Sequence, residues 1–511
     1  MKKMTKNVYD EIPYPSLVYT DTHPGRLATL VTLFGIKPPP IVNCRVLELG
    51  CGDGTNLIAI SQTLPQASLW GIDFSAKQIA SGQKVISALK CPNVTLKQLD
   101  FNEIDESLGK FDYIIAHGIY SWVPVTMQDK LLSIIRRHLG ANGIAYISYN
   151  VYPGWHLDNI IRDMMMYHTQ QLPTTPARLS LKQAKGILQF IANLRQSGNS
   201  AYDVLLQEKW QELQTVSENY LCHDFLEADN DPVYFHQFVK HATQHDLAYV
   251  TDIEFRRYLM AAYPVELVEA FKEYFQGDFF KQEQYMDFFL NRSLRRSLLC
   301  HQNVAIKREL DLETLASYYI AANLQPITNN ARWQPQESSQ FKNAQGEIFT
   351  IKHSLTKAAI LHLTSLYPHR ITFDNLFQHI CQQLPQANQD SPTLQQELLH
   401  LYGVEAIELN IEPPPYVTAI GNYPTASHFA RWLSSQKQMV INLRCEIINL
   451  SPIATALLPH LNGKNDSKAL RAILKKLVKK PKIKKSLGMN YLEIKLEEVL
   501  LEIAQGALLT D

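Results

Sequence analysis

The sequence lacks an excess of either charge and lacks cysteines spaced for metal binding. Lys and Arg together number 49, as do Asp and Glu, so the formal net charge is +0. A neutral chain has no overall field that attracts nucleic acid or an anionic membrane. The seven cysteines are scattered without a C-x-x-C pair. Such a pattern argues against a cysteine metal site and favours free thiols in a reducing cytoplasm.

The sequence also lacks a long apolar run. No stretch approaches the roughly 20 residues that span a bilayer, and the basic start, Met1 to Lys6, is not followed by the apolar core of a signal peptide. We therefore expect a cytoplasmic protein without a membrane span, and export as an effector through other signals is the alternative. At 511 residues and 46% hydrophobic content, the chain predicts an ordinary soluble protein with two to four domains.

A glycine-rich turn follows the first predicted strand. Residues 45–49 are mostly apolar, as in a central strand of a parallel sheet, and glycines follow at positions 50, 52 and 54. A dinucleotide fingerprint would need a third glycine where Thr55 stands, and the Gly-Lys-Ser/Thr of a P-loop is absent. The pattern is E-x-G-x-G-x-G, whose acidic residue, Glu48, suits a cationic ligand better than a phosphate. It resembles motif I of class I S-adenosylmethionine (SAM) methyltransferases; a glycine turn without a ligand is the alternative.

Two acidic residues follow the next predicted strands. Asp73 comes after the strand at 68–72, about twenty residues beyond the glycine loop, where a carboxylate accepts both ribose hydroxyls of a nucleoside. Asp100 follows the strand at 94–99 and could accept from an adenine amino group, with Phe101 packed on the ring. For Asp73 the alternative is a helix cap or a solvent-facing carboxylate. Together these positions predict a nucleoside pocket.

Aromatic residues are concentrated after two further predicted strands, at 112–116 and 144–149. Doubly wound sheets bind ligands at the carboxyl ends of their strands, so these loops lie where a methyl acceptor should bind. Aromatic walls hold an alkylammonium through cation–π contacts. The candidate acceptor-site residues are Tyr120, Trp122, Tyr149, Tyr152 and Trp155. For each single ring, ordinary core packing is the alternative.

Several motifs taken together identify a family. They are YDE-PYPS at 9–16, VLELGCGDG at 46–54, HGIYSWVP at 117–124, SYNVYPGWH at 148–156 and YLCHDFLE at 220–227. These motifs resemble bacterial methyltransferases with a methyltransferase regulatory domain, to which the rickettsial protein lysine methyltransferases belong. The resemblance is strong over about residues 7–303. It implies SAM as the cofactor and a lysine-containing protein as the substrate.

The predicted cofactor-binding set joins the N-terminal arm, the glycine loop and the strand ends. The arm, residues 7–40, is rich in aromatic residues and proline, and it either folds over the glycine loop as a lid or packs on the sheet edge. The set comprises Tyr14, Glu48, Gly50, Cys51, Gly52, Gly54, Asp73, Phe74, Asp100, Phe101 and His117. No single side chain can be assigned as the general base.

The predicted fold is α/β: a Rossmann-like, seven-stranded class I methyltransferase domain with a helical insertion, followed by winged-helix-like C-terminal modules. Strands at 247–252 and 297–301 are expected to complete the sheet, which makes the catalytic domain discontinuous. The expected divisions are 1–165 for the SAM-binding domain with its lid at 1–40, 166–230 for the insertion, 231–303 for a regulatory middle region, 304–425 for a winged-helix-like domain and 426–511 for a smaller one. The insertion would cover the acceptor site or form the interface of a homodimer.

Two remaining features have non-catalytic interpretations. His241 and His245 lie four residues apart on a predicted helix, but Ala242 removes the HExxH pattern and no carboxylate ligand is apparent, so no metal is assigned. Basic residues are dense only at 475–485, without interleaved aromatic residues, so nucleic-acid binding is not expected. That run is a solvated loop or a patch that docks an acidic protein substrate.

The sequence thus predicts a SAM-dependent N-methyltransferase that acts on lysine side chains of a protein. A small-molecule methyltransferase and a non-catalytic, SAM-responsive interaction protein are the alternatives. An adenine N-methyltransferase is disfavoured, because His117-Gly118-Ile119-Tyr120 stands where the Asn/Asp-Pro-Pro-Tyr motif would follow the strand at 112–116.

Overall fold

A computed structural model describes residues 17–171, 177–254, 264–310, 312–327, 338–384, 390–481, 483–484 and 494–510. Its largest sheet has seven strands: β1 (Arg45–Leu49), β2 (Ser68–Asp73), β3 (Val94–Gln98), β4 (Phe111–Ala116), β5 (Leu139–Asn150), β6 (Leu247–Asp252) and β7 (Leu294–His301). They lie in the order β3-β2-β1-β4-β5-β7-β6. Strands β1 to β5 run parallel, and β7 lies antiparallel between β5 and β6.

The sheet is buried on both faces, which explains the apolar runs in its strands. Val46 and Tyr113 belong to the core on one face, and Leu47 and Ile114 belong to the core on the other. The helices of this part are α1 (Pro24–Thr32), α2 (Thr55–Thr63), α3 (Ala76–Leu89) and α4 (Val125–His138). The predicted Rossmann-like α/β sheet is confirmed.

The last two strands of the sheet come from a distant part of the chain, as the sequence predicts. Strand β7 pairs with β5 from Ala145↔Leu299 to Asn150↔Leu294. It is anchored by Arg295, whose fully buried guanidinium donates to carboxylate oxygens of Asp287 at 2.9 Å and Glu283 at 2.9 Å. The sheet is therefore completed by two strands, the first of which begins about a hundred residues after the end of β5.

The junction between α4 and β5 differs from the sequence prediction. The sequence predicts a helix to Leu139 that is closed by Gly140 and by the pair at 142–143. In the structure, α4 ends at His138, and Leu139 already pairs with Phe111. The register then shifts, and the ladder resumes at Tyr113↔Ile144. The glycines therefore lie in an irregular start of β5 rather than in a helix cap.

A helical insertion separates β5 from the end of the sheet. Its helices are α5 (Trp155–Gln170), α6 (Ala177–Leu194), α7 (Ala201–Thr215) and α8 (Glu218–Leu226). They share a hydrophobic core of their own, which includes Ile161, Leu188, Leu206 and Leu221. Helix α8 was not anticipated from its sequence pattern. Helices α9 (Phe235–Gln244), α10 (Val265–Phe275) and α11 (Phe279–Leu290) follow beside β6 and β7.

The next region contains two small sheets and three helices. Its elements are β8 (Tyr319–Ala322), β9 (Gln325–Pro326), β10 (Ser339–Lys342), β11 (Ile348–Ile351), α12 (Ser354–Leu366), β12 (Ile371–Thr372), α13 (Phe373–Gln383), α14 (Ser391–Gly403) and β13 (Ile407–Asn410). The sheets have the orders β11-β10-β9 and β12-β8-β13. The segment 328–347 is polar and lacks apolar periodicity, which predicts a loop. That prediction is wrong at 339–342, where β10 pairs with β11, and residues 328–337 lie outside the described residues.

The described part of the C-terminal module has short strands and several helices. They are β14 (Thr425–Ala426), α15 (His428–Ser435), β15 (Val440–Ile441), β16 (Ile447–Ile448), α16 (Pro452–Leu457), α17 (Ser467–Leu477), α18 (Leu496–Gln505) and β17 (Leu509–Thr510). The module packs on the sheet domain, since Thr20 donates to the Cys445 carbonyl at 2.8 Å and the Phe429 N–H donates to Gln62 at 3.3 Å. No helix among the described residues combines the length and apolarity needed to cross a membrane.

Candidate active site

A cavity of about 540 Å³ lies at the carboxyl ends of β1 to β4. It is lined by the glycine loop after β1, by Asp73 and Phe74 at the end of β2, by Asp100 and Phe101 after β3, and by residues 117–119 after β4. Ligands of doubly wound sheets bind at this edge. The predicted nucleoside pocket therefore coincides with an observed cavity of suitable size for a cofactor.

The glycine loop presents bare backbone to the cavity. The N–H groups of Gly50 and Cys51 donate to the Ile72 carbonyl at 2.8 and 3.1 Å, which ties the loop to β2. A Cβ on Gly50 would lie 2.1 Å from Ile119 Cδ1, and φ is +72° there. Gly52 has φ +56°, and a Cβ on it would meet no protein atom within 4 Å. The space beside Gly52 is therefore open for a ligand. Gly54 is the N-cap of α2 and lies outside the cavity lining.

Glu48 is a buried acid on the wall of the cavity. Its Oε1 accepts from Asn56 Nδ2 at 3.0 Å, whereas its Oε2 is buried and has no hydrogen-bond partner among the described residues. Burial raises the pKa of Glu48 to about 8, and the neighbouring Asp53 and Asp73 add to the increase. A cationic ligand group beside Glu48 would stabilise the ionised carboxylate. The acid therefore suits a cofactor that carries a positive charge.

Asp73 links the end of β2 to the glycine loop. Its Oδ2 accepts from the Gly52 N–H at 2.8 Å, and its Oδ1 accepts from the Ser75 N–H at 2.8 Å. A carboxylate has about four acceptor positions, so both oxygens can accept further hydrogen bonds from ligand hydroxyls. The orientation of the carboxylate is thus fixed before a ligand binds.

Asp100 and Phe101 line the cavity at the end of β3. Asp100 Oδ1 accepts from the Asn102 N–H at 2.8 Å, and the Asp100 N–H donates to Glu103 at 2.7 Å. These bonds make Asp100 the cap of a short 3₁₀ helix, Phe101–Glu103. The cap holds the Asp100 carboxylate and the Phe101 ring at the cavity.

His117 and Tyr19 form a stacked pair beside the glycine loop. Their ring centroids lie 3.7 Å apart. His117 Nδ1 and the Tyr146 hydroxyl share a hydrogen bond of 2.8 Å, and burial, with the charge of Arg296, lowers the pKa of His117 to about 3. The imidazole is therefore neutral. Tyr19 also donates its N–H to Asn56 at 3.0 Å, so this part of the N-terminal arm lies against the loop.

The remaining predicted cofactor residues differ in exposure. Cys51 is buried on the cavity wall, and burial raises the pKa of its thiol. Phe74 lines the cavity with 53% of its surface exposed, so its ring faces both solvent and the cavity. Tyr14 lies outside the described residues.

The five candidate acceptor-site rings occupy different environments. Trp122 lines the cavity, and Trp155 packs edge-on against it with ring centroids 6.0 Å apart. Tyr120 and Tyr149 are core residues, each 2% exposed, and both contact the Phe238 ring.

Tyr152 lies in a separate aromatic group. It stacks on His156 at 4.1 Å and packs against Tyr234 at 5.4 Å. The structure therefore brings one of the five rings, Trp122, directly to the cavity. Of the others, Tyr120 and Tyr149 pack on Phe238 of α9, Tyr152 packs on Tyr234, and Trp155 packs on Trp122.

The cavity lining also includes residues that the sequence patterns did not single out. Three of them come from α8 and the segment after it: His223, Asp224 and Asp229. The motif YLCHDFLE pointed to this segment only through the family resemblance, because its contact with the cavity depends on the packing of the whole insertion.

The turn after α8 is fastened to the strand-end loops. The Asp231 N–H donates to the Ser121 carbonyl at 2.8 Å, and the Val233 N–H donates to the Asn150 carbonyl at 3.1 Å. From the insertion side, Arg162 donates to the Phe225 carbonyl at 3.1 Å. These bonds hold the segment that carries Asp224 and Asp229 against the cavity.

Asp224 has an environment distinct from that of an ordinary surface carboxylate. Burial raises its pKa to about 6, although a hydrogen bond from Tyr220 and the charge of His223 oppose the increase. Asp158 adds to the increase and Arg162 opposes it. The Asp224 carboxylate therefore changes protonation just below neutral pH, at the edge of the cavity.

A second cavity of about 590 Å³ lies between the N-terminal arm and the later modules. Its walls carry ion pairs, such as Arg296 with Asp21 and Arg444 with Glu408. It contacts neither the glycine loop nor Asp73. The residues that are predicted to bind a nucleoside therefore line the first cavity and not the second.

Family profiles match three parts of the chain. A profile described as a methyltransferase domain matches residues 42–218, and one described as a predicted methyltransferase regulatory domain matches 217–301. A third, described as the C-terminal winged helix domain of PKMT, matches 422–508. The regulatory match begins at α8, so it includes the three additional cavity residues.

A solved structure resembles the chain over nearly its whole length. The chain is 30% identical to PKMT2 from Rickettsia typhi, solved in complex with AdoHcy, with a TM-score of 0.85 over 97% of this chain and 100% of that chain. A second structure of Rickettsia typhi PKMT2 is 29% identical to the chain. Its TM-score is 0.84 over 98% of this chain and 100% of that chain.

Two proteins of Rickettsia prowazekii are similar in sequence. The chain is 39% identical over 320 residues to the uncharacterized protein RP789, and the match spans 63% of this chain and 57% of the length of RP789. It is 42% identical over 242 residues to the uncharacterized protein RP028, a match that spans 47% of this chain and 96% of that protein.

Proposed function

Because the chain belongs to the family of SAM-dependent methyltransferases that carry a methyltransferase regulatory domain, we propose that it methylates lysine side chains of a protein substrate. The observation that carries the proposal is the similarity to Rickettsia typhi PKMT2 across 97% of this chain, which includes the insertion and the winged-helix module. A likeness confined to the Rossmann-like sheet would support only methyl transfer in general. The proposal therefore concerns the identity of the methyl acceptor.

The cofactor end of the cavity fits SAM. The open backbone at Gly52 leaves room for the ligand, Asp73 can accept ribose hydroxyls, and Phe101 can pack on the adenine. The unpartnered Oε2 of Glu48 complements a positive charge. When bound, SAM supplies an electrophilic methyl group on a positively charged sulfur.

The acceptor end combines an apolar wall with carboxylates. Trp122 and Pro124 form the apolar part, and Asp224 and Asp229 form the acidic part. A lysine side chain has this same division, with an apolar stem and a cationic head. Trp122 can also hold the ammonium through a cation–π contact. The wall therefore suits a lysine better than an uncharged or anionic acceptor.

We assign Asp224 as the residue that receives the lysine ammonium and accepts its proton. A free lysine has a pKa of about 10.4 and is not nucleophilic while charged. The lysine and the carboxylate can exist as an ion pair or, after proton transfer, as a neutral amine and a neutral carboxyl group. Partial burial raises the free energy of the ion pair, because it penalises both charges, so proton transfer becomes easier. Asp224, with its raised pKa, is suited to this exchange. The proton then leaves to solvent, and the neutral amine is ready to accept a methyl group.

The proposal is tested with SAM that carries a labelled methyl group. Purified protein is incubated with a bacterial lysate, and the label is divided between the protein fraction and the small-molecule fraction. We expect the label in protein and expect it to survive mild alkali, which removes methyl esters but not methylated amines. Label confined to small molecules, or lost in alkali, would contradict the lysine assignment while leaving SAM-dependent methyl transfer intact.

A further inference from the structure

Three potential metal ligands meet on the surface beside the active-site loops. His241 belongs to α9, His245 follows at the end of that helix, and Asp129 lies on α4. Asp129 Oδ1 is 2.8 Å from His245 Nε2 and 3.5 Å from His241 Nε2. The three ligand atoms all lie within 4.8 Å of one another. The carboxylate that the sequence did not reveal comes from 112 residues away.

The arrangement has the size and chemistry of a transition-metal site. Zinc binds imidazole nitrogen and carboxylate oxygen at about 2.0–2.2 Å, which places two ligands of a tetrahedral ion about 3.4 Å apart. The observed separations from Asp129 lie on either side of that value. Two imidazoles and one carboxylate form a ligand set that suits Zn²⁺, Co²⁺ or Ni²⁺ and leaves a position for water.

A second layer of hydrogen bonding already orients one ligand. The Nδ1 of His241 shares a hydrogen bond of 2.8 Å with the hydroxyl of Tyr120, which is buried. Metal-binding histidines characteristically use their other ring nitrogen in this way, since the bond fixes the ring and directs the free nitrogen to the ion. The side chains of both histidines are less than one-fifth exposed, whereas that of Asp129 is 64% exposed. An ion could therefore enter from solvent on the side of Asp129.

We propose that Asp129, His241 and His245 bind a divalent transition-metal ion, with Zn²⁺ as the representative ligand. The ion would join α4, within the methyltransferase match, to α9, within the regulatory match. Tyr120 contacts the site from a 3₁₀ helix whose last residue, Trp122, lines the cavity. Bound metal would thus hold the regulatory region against the loop that forms the acceptor wall. Without metal, the hydrogen bond between Asp129 and His245 at 2.8 Å and that from Gln128 to Asp231 at 3.1 Å contribute to this link.

The test is a titration of chelator-treated full-length protein with Zn²⁺, followed by calorimetry. We expect saturable binding that is weakened at least tenfold in Asp129→Asn and in His245→Ala. His362→Ala is the matched control, because His362 stacks on His379 at 3.6 Å in another part of the fold and should leave this binding unchanged. Unfolding of each metal-free variant by heat verifies that it is folded. Equal Zn²⁺ affinity in wild type and His245→Ala would overturn the proposal.

Cobalt provides an independent readout. Co²⁺ bound by two imidazoles and a carboxylate should give visible absorption bands that are lost in His245→Ala and that lack a thiolate charge-transfer band. A thiolate band would assign the ion to a cysteine and contradict the proposed ligands. Neither measurement depends on methyl transfer, so the proposal stands or falls separately from the enzymatic function.

Discussion

The Oδ2 atom of Asp73 accepts a hydrogen bond of 2.8 Å from the backbone N–H of Gly52, across the floor of the cofactor cavity. The carboxylate at the end of β2 therefore stabilises the middle glycine of the loop in its left-handed conformation, with φ +56°. One side chain thus both shapes the loop and lines the cavity. The first prediction depends on this double role.

Asp73→Ala should weaken SAM binding by about 10- to 100-fold. It removes a charged acceptor, and hydrogen bonds to charged groups contribute about 1.5–3 kcal/mol each. The change is measured by calorimetric titration with SAM. Asp105→Ala is the matched control, since Asp105 also accepts from the N–H two residues later, from Ser107 at 3.0 Å, but lies outside the cavity lining. An equal effect of both substitutions would show that only the local turn is important.

Glu48 should make SAM binding depend on pH. Its raised pKa, about 8, means that the carboxyl group is mostly protonated at pH 7. A cation bound beside it favours the ionised form, so binding releases a proton below pH 8, and affinity should rise by up to about tenfold per pH unit between pH 6 and pH 8. Calorimetry in buffers of different ionisation enthalpy measures the released proton. Glu48→Gln should abolish that release; a release that persists in Glu48→Gln would contradict the assignment.

Asp224 should set the acidic limb of the pH–rate profile. The ionised carboxylate is needed to accept the proton of the lysine, so kcat/KM should increase as pH rises through about 6. Asp224→Asn should lower kcat by about 10²- to 10⁴-fold and remove this limb, with little change in SAM affinity. Asp229→Asn is the informative comparison because Asp229 lines the same cavity. If the limb disappears in Asp229→Asn and persists in Asp224→Asn, our choice of proton acceptor is wrong.

Arg295→Met should destabilise the protein by about 3–5 kcal/mol. The substitution leaves the carboxylates of Asp287 and Glu283 buried without their cationic partner, and breaking a buried ion pair has a cost of this size. Unfolding by urea measures the loss. Arg471→Met, which breaks the exposed pair with Glu497, should cost at most about 1 kcal/mol. Similar losses in both variants would contradict the importance assigned to burial.

The sheet and the cofactor end of the site could be predicted because their signals are local. Strands buried on both faces appear as apolar runs, and the glycine loop requires backbone angles that glycine adopts readily. Asp73 is predicted to accept the ribose hydroxyls because it lies about twenty residues after that loop in the sequence. The final antiparallel pair, β6 and β7, was also inferred correctly, from apolar segments at 247–252 and 297–301.

The acceptor end could not be predicted because it depends on packing between distant segments. The sequence shows that Tyr120 follows a strand and that Tyr149 lies near the end of one, but not that both rings pack on Phe238 outside the cavity lining. Asp224 reaches the cavity only because the insertion folds back on Ser121 and Asn150. In the same way, Asp129 meets His241 and His245 through the packing of two helices, which no spacing along the chain records.

The most direct test of the central claim is tandem mass spectrometry of the acceptor protein after incubation with methyl-labelled SAM. We expect the labelled methyl groups on lysine Nζ atoms when wild-type protein is used. With Gly52→Arg we expect none, because the new side chain would occupy the open space beside the loop. Gly186→Arg, at an exposed helix position where a Cβ meets no neighbour, should behave as wild type. Label on another residue type, or unmodified lysines despite tight SAM binding, would contradict the account.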